Sequence, residues 1–151
     1  MNKLITETHI IDCDAAPFVP DGWSVEEHKR GGQFKFDPTR VELYLCKPQR
    51  KEDDIVRGHV LRKELKGKPV MNANVLDYLL CNPHLIPEEW KENNKGDTRH
   101  TFFWGTIYRA SDEYKYECVR YLFFHNNKWM WDNRAIVDTW YFNYYAALRK
   151  D

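Results

Sequence analysis

Apolar positions along the chain recur at a spacing of two near the start, at a helical spacing through the middle, and at two again from residue 100 onward. Residues 4–12 alternate loosely and include β-branched Ile5, Thr6, Thr8, Ile10 and Ile11, which predicts a strand. Two prolines and an Asp-Gly in "AAPFVPDGW" then predict a structured loop over residues 15–22, pinned by Phe18 and Trp23. The alternating runs Phe34-Lys35-Phe36 and Val41-Glu42-Leu43-Tyr44-Leu45 predict extended segments broken at Asp37-Pro38. Residues 50–54 are polar and charged and predict a surface loop.

Helical spacing starts at Val60, Leu61, Glu64 and Leu65 and stops at Gly67. A stronger helix follows: Asn72 or Asn74 can cap it, Val75, Leu76, Leu79 and Leu80 form one apolar face, and Asn82-Pro83 ends it. "HLIPEEWK" predicts a short turn with Pro87 at a first-turn position and Trp90 as its anchor. Residues 91–99 read as an exposed connector.

Beyond it, "HTFFWGTIYR", "YECVRYLFFH" and "WMWDNRAIV", joined by "ASDEYK" and "NNK", predict three strands of an antiparallel meander. Strict alternation in the first puts Phe103, Gly105 and Ile107 on one face and Phe102, Trp104, Thr106 and Tyr108 on the other. The same rule puts Trp129 and Trp131 together, expected outward, with Met130 turned to the core. In "DTWYFNYYAALRK" helix and strand both remain open, with Ala146, Ala147 and Leu148 favouring helix. The expected architecture is α+β: an antiparallel β-meander or curved sheet with one or two short helices packed on it, in one domain over residues 1–151.

Composition changes this picture little. The chain has 151 residues, 30% charged and 15% aromatic, and its 23 Lys plus Arg balance 23 Asp plus Glu. That balance removes the global attraction of a dedicated nucleic-acid binder. Residues 26–68 carry 12 basic against 8 acidic residues, a mild local excess. Cys13, Cys46, Cys81 and Cys118 stand some 30 residues apart, without the close pairs that zinc or redox sites use. No export leader is read in residues 1–12, so free, mostly buried thiols in a reducing cytoplasm are expected, with no membrane partner.

Chemical motifs are few. Asp12-Cys13-Asp14 after a strand is how haloacid-dehalogenase-type phosphatases begin, but no strand–helix alternation supports the βαβ sheet they need, and Ala16 stands where a small hydroxyl or glycine turn usually follows. The alternative is that both carboxylates accept loop N–H bonds while Cys13 faces the core. Gly31-Gly32-Gln33 matches the tripeptide of peptide-chain release factors, though it runs straight into alternating Phe34 and Phe36, as a strand-entry turn would. His9, His28, His59, His84, His100 and His125 are scattered, so no metal and no cofactor is expected.

The feature that does not reduce to a motif is an excess of rings late in the chain, Trp104, Tyr108, Tyr121, Phe123, Trp129, Trp131, Trp140 and Tyr141, interleaved with Arg109, Arg120, Lys128 and Arg134. A ring-and-arginine sheet face suits a protein interface or a stacking platform. The candidate binding residues are Trp129, Trp131, Trp104, Tyr108, Arg109, Arg120 and Arg134. "VPDGW", "VELYL", "LRKEL", "NANVLDYLL", "LIPEEWK", "FFWGTIYR" and "VRYL" followed by W-x-W resemble a family of small bacterial proteins of unassigned function, from Asp12 to about Trp131. The resemblance implies a short, self-contained cytoplasmic module and no catalytic assignment. The expected function is therefore non-catalytic binding of another protein or of a second copy. The runners-up are a small phosphoester hydrolase using Asp12 and Asp14, and a single-stranded nucleic-acid binder.

Overall fold

The computed structural model describes residues 7–51 and 55–150. Residues 4–6 of the expected first strand and 52–54 of the expected loop lie outside them. The elements in chain order are β1 (Ile10–Asp12), β2 (Ser24–His28), β3 (Gln33–Lys35), β4 (Val41–Tyr44), β5 (Val56–Arg57), α1 (Gly58–Leu65), α2 (Ala73–Cys81), β6 (His100–Phe102), β7 (Thr106–Arg109), β8 (Glu117–His125), β9 (Lys128–Ala135), β10 (Thr139–Trp140) and β11 (Tyr144–Arg149). A seven-stranded, curled, mostly antiparallel sheet carries the fold, and the two helices pack on it, giving the expected α+β class.

The centre of the sheet is β8. On one edge it pairs with β9 along its length, from Cys118↔Ala135 to His125↔Lys128, through a tight turn at Asn126 and Asn127, both with positive φ. On its other edge it meets β6 (Phe102↔Tyr121) and then β7 (Tyr108↔Cys118). The chain advances six residues on one side against three on the other, so Trp104-Gly105-Thr106 is a three-residue excursion in what the sequence predicts as one strand. Beyond the excursion the sheet forks. β7 pairs with β2, while β6 pairs in parallel with β11, which pairs with β4.

An odd number of inserted residues inverts the pleat, and this corrects the expected faces. Phe102 and Ile107 share one core cluster, with Trp104, whereas Phe103 faces the opposite one. On the Phe103 side α2 contributes Val75, Leu76 and Leu79, joined by Ile11 of β1 and Phe34 of β3. On the Phe102 side α1 contributes Leu61 and Leu65 against Val119, Ile136 and Trp140. Each sheet face therefore has its own helix.

Both helices form where the periodicity places them. Asn72 caps α2, its side chain accepting from the Asn74 N–H at 3.0 Å, and Trp90 is buried at the end of a 3₁₀ turn in which Pro87 is the cap and not a first-turn residue. The tail departs from expectation. Residues 144–149 are a strand, not a helix, with Ala147 facing the α2 core and Ala146 and Leu148 the α1 core. Pairing on both edges outweighs the helix preference of alanine, and small side chains suit a strand crowded on both faces. β2, "SVEEH", has no apolar alternation; it is an exposed edge strand defined by its backbone pairing to β7.

The excursion is where sheet and helix touch most closely. A Cβ on Gly105 would lie 2.8 Å from the Asn72 backbone, so only glycine fits. We expect Gly105→Ala to lower stability by about 1–3 kcal/mol through this backbone clash. Leu76→Ala, wholly inside the α2 core, should cost about 2–5 kcal/mol, both being read by urea denaturation.

Candidate functional site

The structure divides the seven candidate residues. Trp104, Tyr108 and Arg120 are buried, at 5%, 0% and 1% exposure, so they are parts of the interior and not of an exposed face. Arg109 lies at the surface, where its Nε donates to Glu26 at 2.8 Å across the β2–β7 pair. Trp129 and Trp131 do share a face of β9, but it is the α2 side, where both are half-buried against the core; Met130 is turned to the other side. The expected outward pair with an inward methionine is thus reversed, because this side of the sheet is covered by α2 and the loop at Phe18. Arg134 lies on the opposite face of β9 from the two indoles, half-buried.

Inside, Arg120 is held by Asp77 of α2. Its two terminal nitrogens donate to the carboxylate at 2.9 and 2.7 Å, a bidentate pair. Its guanidinium lies 4.1 Å from the Trp131 ring centroid and 5.3 Å from that of Phe18, and Trp131 meets Trp23 edge to face. Burial alone would lower the pKa of the arginine, and the Asp77 carboxylate outweighs it, so the pKa rises. Two of the candidate residues, Arg120 and Trp131, are therefore spent on fastening α2 to β8 and β9.

The Asp12–Asp14 turn is likewise structural in its contacts. Asp12 accepts from the Asp14 N–H and Asp14 from the Gly32 N–H, each at 3.0 Å, while Cys13 is buried. Asn72 and Asn74 at the start of α2 donate to the carbonyls of Asp12, Cys13 and Ala15. His28 closes the arrangement. The Ala15 carbonyl can only accept, so Nε2 of the ring donates to it, and in the neutral ring Nδ1 accepts from the Thr106 hydroxyl. Among the described residues, no three His, Cys, Asp or Glu side chains stand close enough to hold a metal ion.

On the α1 side of the sheet, beyond the reach of α1, lies a ledge of rings that the sequence presents only as part of the general aromatic excess. His100 of β6 stacks on Tyr121 of β8 at 4.7 Å with an interplanar angle of 6°, and on Tyr144 of β11 at 4.9 Å and 13°. Phe123 lies 5.6 Å from the same imidazole. Arg134 sits 5.6 Å from the Tyr141 ring and 5.7 Å from Tyr144, fixed by donating to the Thr139 carbonyl. Tyr121, Phe123, Met130 and Tyr144 are half-buried, and Tyr141 is 45% exposed. Asp132 is on the same face as Arg134, two residues away on β9.

Burial, with the neighbouring charge of Arg134, pushes the His100 pKa down to about 4, opposed weakly by Asp132, and burial pushes that of Tyr121 up to about 12. His100 is thus neutral at pH 7, and its Nδ1 is buried without a hydrogen-bond partner. Comparison of the chain with known families, with curated proteins and with solved structures finds no match.

Two expectations come from this geometry. Asp77→Ala leaves a buried cation unpaired and should cost about 3 kcal/mol, whereas Asp77→Leu combined with Arg120→Leu should recover part of that loss; a double-mutant cycle in urea reads both. His100 has a folded pKa below its ordinary value of 6.5, so the unfolded chain binds the proton first. Stability is then full above pH 6.5 and falls as pH drops toward about 4; His100→Gln should flatten that acid slope of the unfolding free energy.

Proposed function

We propose that the chain is a non-catalytic binding protein that engages another protein chain through the ledge formed by His100, Tyr121, Phe123, Tyr144, Tyr141 and Arg134. The observation that carries the reading is a cluster of half-buried and exposed rings on one sheet face, with Tyr141 45% exposed and Arg134 beside it. Rings with low side-chain entropy and an arginine are the residues that concentrate binding energy in protein interfaces.

The partner that the surface favours is a second copy. A twofold contact sets the same patch against itself, and the ledge carries opposite charges two residues apart, Asp132 and Arg134, which can pair reciprocally across such an axis. β9 adds an eight-residue strand whose outer edge pairs with no strand among the described residues, and the zero net charge leaves self-association unopposed. The reading includes a cytoplasmic location, supported by four free cysteines of which three are buried, and by the absence of any described helix long and apolar enough to cross a membrane.

Sedimentation velocity over a concentration series tests this. The wild-type chain should dimerise, Phe123→Glu should shift it to monomer, and Asp132→Arg and Arg134→Asp should each weaken the dimer while their combination restores it. A wild-type chain that stays monomeric at about 100 µM, or a dimer indifferent to Phe123→Glu, overturns the proposal.

A further inference from the structure

The chain also holds a cleft far from the ledge in its chemistry. It opens between the segment from Lys29 to Gly31, the segment from Lys68 to Asn72, and Arg149 of β11, with a volume of ≈ 290 Å³. Four cations line it, Lys29, Arg30, Lys68 and Arg149, and among the described residues no Asp or Glu does. Its accessible apolar lining is Pro69 and Val70, over buried Phe34, Met71 and Val75. The carboxylates that flank Cys13 of the lining, Asp12 and Asp14, are engaged in the turn described above.

The walls are fixed before any ligand arrives. The Lys29 N–H donates to Gly105 at 2.7 Å and the Lys29 carbonyl accepts from Asn72, so the excursion and the α2 cap both hold this segment. Arg149 donates to the Gly31 carbonyl at 3.1 Å and lies 5.1 Å from the Phe34 ring, and the Lys68 ammonium lies 4.9 Å from the Tyr44 ring. Lys29 and Arg30 make no ion pair among the described residues. A second cleft of ≈ 420 Å³ continues from the first through Lys29 and Val70 and adds Lys63 and Lys66; its one carboxylate, Glu27, is paired with Arg62 at 3.0 Å. In a chain of zero net charge, the positive potential is focused here.

We propose that the smaller cleft binds a small amphipathic anion: a phosphate-monoester head held by Lys29 and Arg30, with an apolar body of about one ring lying against Pro69 and Val70. Cations without carboxylates in the lining select the charge. The apolar lining selects the body, since a hydrated inorganic ion would leave it wet. A volume at the lower end of small-molecule sites sets the size.

The test is titration calorimetry with phenyl phosphate at low salt, together with amide chemical shifts to locate the site. Phenyl phosphate should shift Gly31, Val70 and Arg149, and bind at least about tenfold more tightly than either inorganic phosphate or benzyl alcohol. Lys29→Ser combined with Arg30→Ser removes two exposed side chains and keeps the backbone bonds; it should weaken binding about tenfold or more with an unchanged circular dichroism spectrum. Four outcomes overturn the proposal: no binding of phenyl phosphate, equal binding of inorganic phosphate, undiminished binding by the double variant, or displacement of phenyl phosphate by a single-stranded thymidine oligomer that binds more tightly.

Discussion

The contact between Gly105 and the Met71–Asn72 backbone governs much of what surrounds it. There the Gly105 N–H donates to the Met71 carbonyl at 3.0 Å and its carbonyl accepts from Lys29. One step on, the Thr106 hydroxyl oxygen accepts from the Ala73 N–H at the start of α2. A backbone without a side chain can lie directly against the first turn of a helix, and this proximity lets three residues leave the ladder with their polar groups satisfied. The fork of the sheet, the inversion of side-chain faces between β6 and β7, and the attachment of the Asp12–Ala15 turn through Asn72 all issue from that approach.

Fastening α2 takes a second device at its middle. Arg120 and Asp77 form a charged pair beneath Trp131, where desolvation is costly and is offset only by bidentate geometry and by the aromatic faces around it. Such a pair adds little net stability over apolar side chains of the same size. What it adds is definition, because a helix slid or rotated by one residue would strand a guanidinium in the core.

Local signals made the helices legible in the sequence: the cap at Asn72, the Val75–Leu79 face and the stop at Asn82-Pro83 act within a turn or two of the chain. The meander was legible for the same reason, since β8 and β9 are joined by a two-asparagine turn. What sequence periodicity could not show depends on partners far along the chain. β2 is defined by β7, and β11 is a strand because β6 and β4 flank it, whatever alanine prefers in isolation. The excursion hides in "FFWGTIYR", where one glycine looks like a weak spot in a strand and is in fact the contact point. The candidate binding residues were chosen by residue type, and type does not distinguish Trp131, which covers a buried arginine, from Tyr141, which meets water. The ledge escaped the sequence because its members come from β6, β8, β9 and β11, and His100 among them carries no local mark.

β11 follows every other described strand in chain order, yet it lies between β6 and β4 and its residues enter both cores. While a ribosome is still making residues 144–149, β4 has no neighbour in the main sheet and β6 is bare on one edge. Neither layer can close around its helix in that interval. Closure of the sheet therefore waits on β11, with the exposed edge of β6 open to chaperones, or to other nascent chains, until that strand slots into place.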